Sequence, residues 1–320
     1  MRNKGIIFFL ILLALVIVGM IVADYISSRP GRSKANPFDL NVNEFKTVDP
    51  SLVNYKEAKI FKIGFESPAA IKVSEDKIFV AGDNKLKIIS TSGSLLSELT
   101  FEFHPKVVEV FQDRIYLSDK NQVHVFTNEG ISLDQWEPMG ENSHITSMAA
   151  TANNVFVADA GRRKIFRFSA EGELLNEFDG KAGEGALHGF IIPSPTFDID
   201  INGENELWVV NPGLHSLENY TFDGRLRGHW KRSGINTEGF SGCCNPGHFT
   251  FLSDGRFVTS EKGLVRIKTY KQSGEFEGVV AAPDKFADEG HAPGIATDSQ
   301  NNIYALDFDT KTIRVFIPND

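Results

Sequence analysis

From about Lys59 onward the chain repeats one phrase six times, and that repetition leaves few folds open. Each unit opens with a short strand preceded by Pro or His, followed by a turn rich in Asp, Asn and Gly. A second strand of apolar–aromatic–apolar form comes next: Ile78-Phe79-Val80, Ile115-Tyr116-Leu117, Val155-Phe156-Val157, Leu207-Trp208-Val209, Arg256-Phe257-Val258 and Ile303-Tyr304-Ala305. Alternating third strands follow at 86–89, 123–126, 165–168, 217–220, 265–268 and 313–316. Gly turns then lead into a last strand at Gly93, Gly130, Gly172, Gly224 and Gly274. The units are roughly 37 to 52 residues long.

A four-stranded unit of this kind cannot bury both of its faces alone and must pack against its neighbours. Six of them predict an all-β chain folded as a six-bladed β-propeller; the repeats are too long, and too clearly hairpins, for a β-solenoid. The sixth unit stops at Asp320 after its third strand, which would leave an open edge. Residues 58–65, containing Lys59-Ile60-Phe61-Lys62-Ile63, are expected to supply the missing outer strand and close the ring. The 28 glycines and 26 phenylalanines, against 4 methionines, suit many tight turns between aromatic-rich strands.

Ahead of the repeats, Gly5 to Ala23 is a 19-residue run without a charge. At 1.5 Å per residue it can span a hydrocarbon core of roughly 30 Å. It exceeds the usual signal-peptide h-region, no A-x-A site follows it, and no cysteine follows it to take a lipid. These features predict an uncleaved signal anchor at 5–23, a cytoplasmic tail at 1–4, a Pro-containing tether at 24–57 and a propeller at 58–320. The propeller is expected to be periplasmic or extracellular. Arg2, Lys4, Arg29, Arg32 and Lys34 against Asp24 give the first 34 residues a charge of +4, so of the chain's −9 the remainder carries −13. An acidic body excludes a nucleic-acid partner, which needs a positive footprint.

Val155-Phe156-Val157-Ala158-Asp159, and Ile303-Tyr304-Ala305-Leu306-Asp307 followed by Lys311-Thr312-Ile313-Arg314-Val315-Phe316, resemble NHL repeats. The resemblance covers about residues 66–320 and weakens in unit four, where Val210-Asn211-Pro212-Gly213 replaces the small-residue–Asp step. Phe240-Ser241-Gly242-Cys243-Cys244-Asn245-Pro246, with Thr259 to Arg266, is similar to a bacterial group of membrane-anchored propellers. The resemblance implies fold more than activity.

Two clusters of residues carry candidate chemistry. Cys243 and Cys244 are the only cysteines and are adjacent, which allows a vicinal disulfide, a stiffened turn, or thiolates for a soft metal with His248 as third ligand. His104, His144, His248 and His291 fall near the starts of innermost strands, which ring one channel mouth. That pattern makes them candidate ligands for zinc or copper. The metal-binding histidines that an amidating lyase related to NHL propellers places in its channel are in keeping with such a site. Glu261 and Lys262 read as an exposed hairpin pair of little energetic weight, and Asn219-Tyr220-Thr221 as an incidental glycosylation sequon in a strand. The glycine-rich stretch 180–189 lacks the phosphate-loop pattern. With 228–241 it is expected to form loops over the mouth. The leading expectation is a binding module that presents its loop-rich channel mouth to a protein or small ligand. The alternatives are a metal-dependent or thiol-redox enzyme at the same mouth, and a structural scaffold with an apolar blade edge.

Overall fold

The computed structural model describes residues 2–27, 42–181 and 188–319. Residues 2–27 form one α-helix, within which Lys4–Tyr25 is a 22-residue stretch long and apolar enough to cross a membrane.

The second unit of the chain is an all-β, six-bladed propeller. Its described strands form six four-stranded antiparallel sheets, and in blades one to five the strands follow chain order from the channel outward. The innermost strands are Pro68–Ser74, Val107–Phe111, Ile145–Ala150, Ile199–Ile201, His248–Phe251 and Gly294–Thr297. Blade six combines three C-terminal strands with Tyr55–Lys62, which pairs antiparallel with Thr312–Pro318 and covers its edge.

The blades are locked together by one recurring contact. The five predicted Gly turns all have positive φ, between 80° and 98°. A Cβ on each would overlap a large side chain from the outer strand of the preceding blade or, for Trp136, from the residue just after it: Phe61 on Gly93, Leu99 on Gly130, Trp136 on Gly172, Phe178 on Gly224 and Trp230 on Gly274. Phe61 lies in the closing strand, which therefore packs onto blade one as any other outer strand packs onto its successor.

Residues 46–54, read from sequence as tether, lie against blade five. Val48 is buried, Lys46 pairs with Asp288 at 2.8 Å, and the Asn54 amide donates to the Val279 carbonyl at 3.0 Å. Gly278 permits this approach, since a Cβ there would overlap the Asn54 side chain.

Blade five is offset by one residue from its sequence reading. Phe257, not Arg256, occupies the first apolar position, paired with Tyr270 as Ile303 is paired with Phe316. Glu261 therefore takes the place held by Asp119, Asp159, Asn211 and Asp307 in other blades.

Candidate functional site at the channel mouth

Each innermost strand starts where the previous outer strand ends, so the connections between blades share one face with the hairpins joining second and third strands. The acidic or amide residue ending the second strand fastens that face. Asp159 accepts from the His144 amide at 2.8 Å and from the Ser143 hydroxyl, and Asn211 accepts from the Ile191 amide at 2.9 Å. This acidic or amide step is therefore structural, a cap for the incoming loop.

Inside the ring lies a cavity of about 360 Å³ bordered by all six innermost strands. Strand register places Lys72, Glu109, Ala149, Asp200, Thr250 and Ala296 at equivalent positions, opposite Phe79, Tyr116, Phe156, Trp208, Val258 and Tyr304. This layer forms a charged girdle. The Lys72 ammonium lies 2.7 Å from Glu109 of the next blade and 3.8 Å from Asp200 of the opposite blade, and the Thr250 hydroxyl donates to Asp200 at 2.9 Å. Two residues before Asp200 and Thr250, nearer the loop face, are Asp198, just ahead of its strand, and His248. The His248 Nδ1 is 3.5 Å from Asp198, whose carboxylate also accepts from the Phe249 amide at 3.0 Å.

Burial pushes the Glu109 pKa from 4.5 to about 7, only partly offset by Lys72. Burial likewise raises Asp200, again against the pull of Lys72. For Lys72, burial disfavours the ammonium, but the carboxylates of Glu109 and Asp200 outweigh it and hold the pKa above the usual lysine value. Glu109, Asp198 and Asp200 thus act on the Lys72 ammonium, while Lys106 and Asp298 also border the cavity. Several channel hydroxyls are already committed: Thr146 donates to the Phe197 carbonyl at 2.7 Å and Thr297 to the Phe251 carbonyl at 2.6 Å. Recognition in the cavity therefore falls to the charged groups.

The structure does not bring the four sequence-predicted histidines together. His248 borders the cavity. His104 bonds through Nδ1 to the Asp83 carbonyl at 2.6 Å, His144 is held through its backbone, and His291 pairs with Asp309 at 2.7 Å. Among the described residues no three His, Cys, Asp or Glu side chains gather as a set able to hold a metal ion. The Gly180–Gly189 segment lies largely outside the described residues. Residues 228–231, expected in a loop, belong to the outer strand of blade four.

Cys243 is exposed and Cys244 buried, with their sulfurs 2.7 Å apart and both thiols free. Their loop rests on a buried ion cluster. Contrary to the expected exposed Glu261–Lys262 pair, Glu261 is fully buried between Arg266 at 3.0 Å and Lys268 at 2.7 Å, both also inaccessible. The one-residue offset of blade five, invisible without the sheet, turns Glu261 inward. Arg266 and Lys268 donate onward to the Ile235, Asn236 and Gly239 carbonyls, and Glu261 accepts from the Ser241 amide. Burial lowers the Lys268 pKa to about 8, despite Glu261. His215, which the sequence did not single out, bonds through Nε2 to the Gly242 carbonyl at 2.7 Å, directly beside Cys243.

No family model matches the sequence, and a search of curated proteins finds no match. Solved propellers share the fold. A streptogramin B lyase aligns at TM-score 0.59 and 15% identity over 85% of this chain and 100% of its own. Virginiamycin B lyase from Staphylococcus aureus aligns at 0.57 and 14% over 83% and 99%. The WD40 propeller domain of Doa1 aligns at 0.54 and 10% over 79% of each. At these identities the likeness concerns the fold.

Proposed function

We propose that the chain is a membrane-anchored, extracytoplasmic binding propeller that takes a small ligand bearing an ammonium group into its channel mouth. The carrying observation is the excess of acidic over basic side chains bordering the cavity, where Asp198, Asp200, Glu109 and Asp298 outnumber Lys72 and Lys106 among the described residues. In a partly desolvated channel that imbalance attracts a cation more strongly than it would in water. Basic Arg2 and Lys4 before the apolar helix support an inside tail and an outside propeller. The NHL-like phrases support a place among propellers of that repeat class, and the loop face leaves room for a protein partner as well.

The test is a thermal-shift comparison on the propeller, residues 43–320, with amines, carboxylates and neutral polyols of matched size. Amines alone are expected to raise the Tm, and Asp198→Asn and Asp200→Asn to abolish the rise. A rise with carboxylates or polyols and none with amines overturns the reading.

One observation favours a second, enzymatic reading. His248 faces the cavity with Asp198 beside it, an arrangement suited to a general base. The fold-level neighbours include a catalytically inactive histidine-to-alanine variant of virginiamycin B lyase with quinupristin. This reading requires a compound whose turnover is lost in His248→Ala while its binding is retained.

A further inference from the structure

We infer that Cys243 and Cys244 form a thiol–disulfide exchange site that takes small disulfides, independent of the channel ligand. The loop that carries them is fastened by hydrogen bonds that involve neither sulfur. Asn245 bonds to the Ser241 and Lys262 carbonyls and accepts from the Lys262 amide, Glu261 holds Ser241, and His215 holds Gly242. The two sulfurs are nevertheless side by side, 2.7 Å apart, one open to solvent and one beneath it.

Their surroundings favour a single thiolate shared by the pair. Burial opposes ionisation of Cys244, but hydrogen bonds from Cys243 and Ser194 and the nearby Lys262 ammonium outweigh it and lower its pKa. Cys243 is shifted up, first by its hydrogen bond to Cys244 and then by that neighbour's charge. A thiolate is the attacking species in exchange, and a second thiol at hand resolves the product.

In the reaction, one cysteine thiolate attacks a sulfur of the incoming disulfide. A mixed disulfide forms, and one small thiolate departs. The second cysteine then gives up its proton and attacks the cysteine sulfur of the mixed disulfide, closing the vicinal Cys243–Cys244 bond and expelling the second small thiolate. The protein dithiol loses two electrons and two protons, and the small disulfide gains them as two thiols. Run backward, the site oxidises small thiols. Lys262 holds the developing thiolate and makes anionic disulfides the preferred partners.

The full chain in detergent, reduced with dithiothreitol and freed of it, is treated with oxidised glutathione at neutral pH and read by intact mass and released thiol. The expected product is a folded chain lighter by two hydrogens, with two glutathione molecules released per chain. Cys243→Ser or Cys244→Ser is expected to trap one glutathionyl adduct, and Lys262→Met to slow the wild-type reaction severalfold. Thiols that react only after unfolding in urea overturn the inference. So does a wild-type chain that stops at a stable mixed disulfide. Because the primary readout uses the unsubstituted protein, a misfolded variant cannot decide the outcome.

Discussion

Lys72 of the first blade holds its ammonium 2.7 Å from the Glu109 carboxylate of the second, within the channel. The same ammonium lies 3.8 Å from Asp200, so its loss takes the paired cation from both carboxylates. Lys72→Met is expected to destabilise the propeller by about 2–4 kcal/mol, the partial exposure of Lys72 keeping the cost below the fully buried case. The double variant Lys72→Met/Glu109→Gln is expected to recover part of the loss, which urea unfolding of both proteins measures.

Glu109 also sets a pH dependence. Its pKa is about 7 in the folded chain against 4.5 when unfolded, so between those values the folded state holds the extra proton. Stability from this group therefore falls as pH rises from about 4.5 to about 7, by on the order of 3 kcal/mol, and levels off above. Unfolding midpoints at stepped pH should show this slope in the wild type and lose it in Glu109→Gln.

The blade-five cluster contains one carboxylate and two cations, all buried. Removing Glu261 strands both cations, whereas removing Lys268 leaves a neutral pair. Glu261→Gln is expected to cost about 3–5 kcal/mol and Lys268→Met clearly less, by the same unfolding measurement. With its folded pKa lowered from 10.5 to about 8, Lys268 adds stability as pH rises through that window, and Lys268→Met should remove this gain.

The interblade lock makes its own forecast. Gly224→Ala places a Cβ at a positive φ of 85° and into the Phe178 ring. It should destabilise by about 2 kcal/mol or more, through backbone strain and overpacking together. Gly203→Ala, with open space around its Cβ position, serves as the control in a Tm comparison.

The propeller itself was legible because the blades repeat the same strand pattern, and blades one to five the same positive-φ glycine turn. The site was less so. The loop-face histidines and cysteines drew attention, yet His104, His144 and His291 each serve a local contact, and only His248 borders the cavity. The girdle did leave a signal: Ile71-Lys72-Val73, Val108-Glu109-Val110 and Ile199-Asp200-Ile201 each set one charge between apolar neighbours on an innermost strand. What no single strand reveals is that these charges meet, because Lys72 and Asp200 lie 128 residues apart in sequence and on opposite blades. Glu261 was misjudged for a related reason, since its inward turn depends on a register that only the paired strands define.

The central claim is that channel carboxylates select a cation, and calorimetric titration of the amine with the largest thermal shift tests it most directly. The account predicts measurable binding to the wild-type propeller, weakened tenfold or more, about 1.4 kcal/mol, in Asp200→Asn at neutral pH. Equal affinity in the two proteins, with both folded, would contradict it.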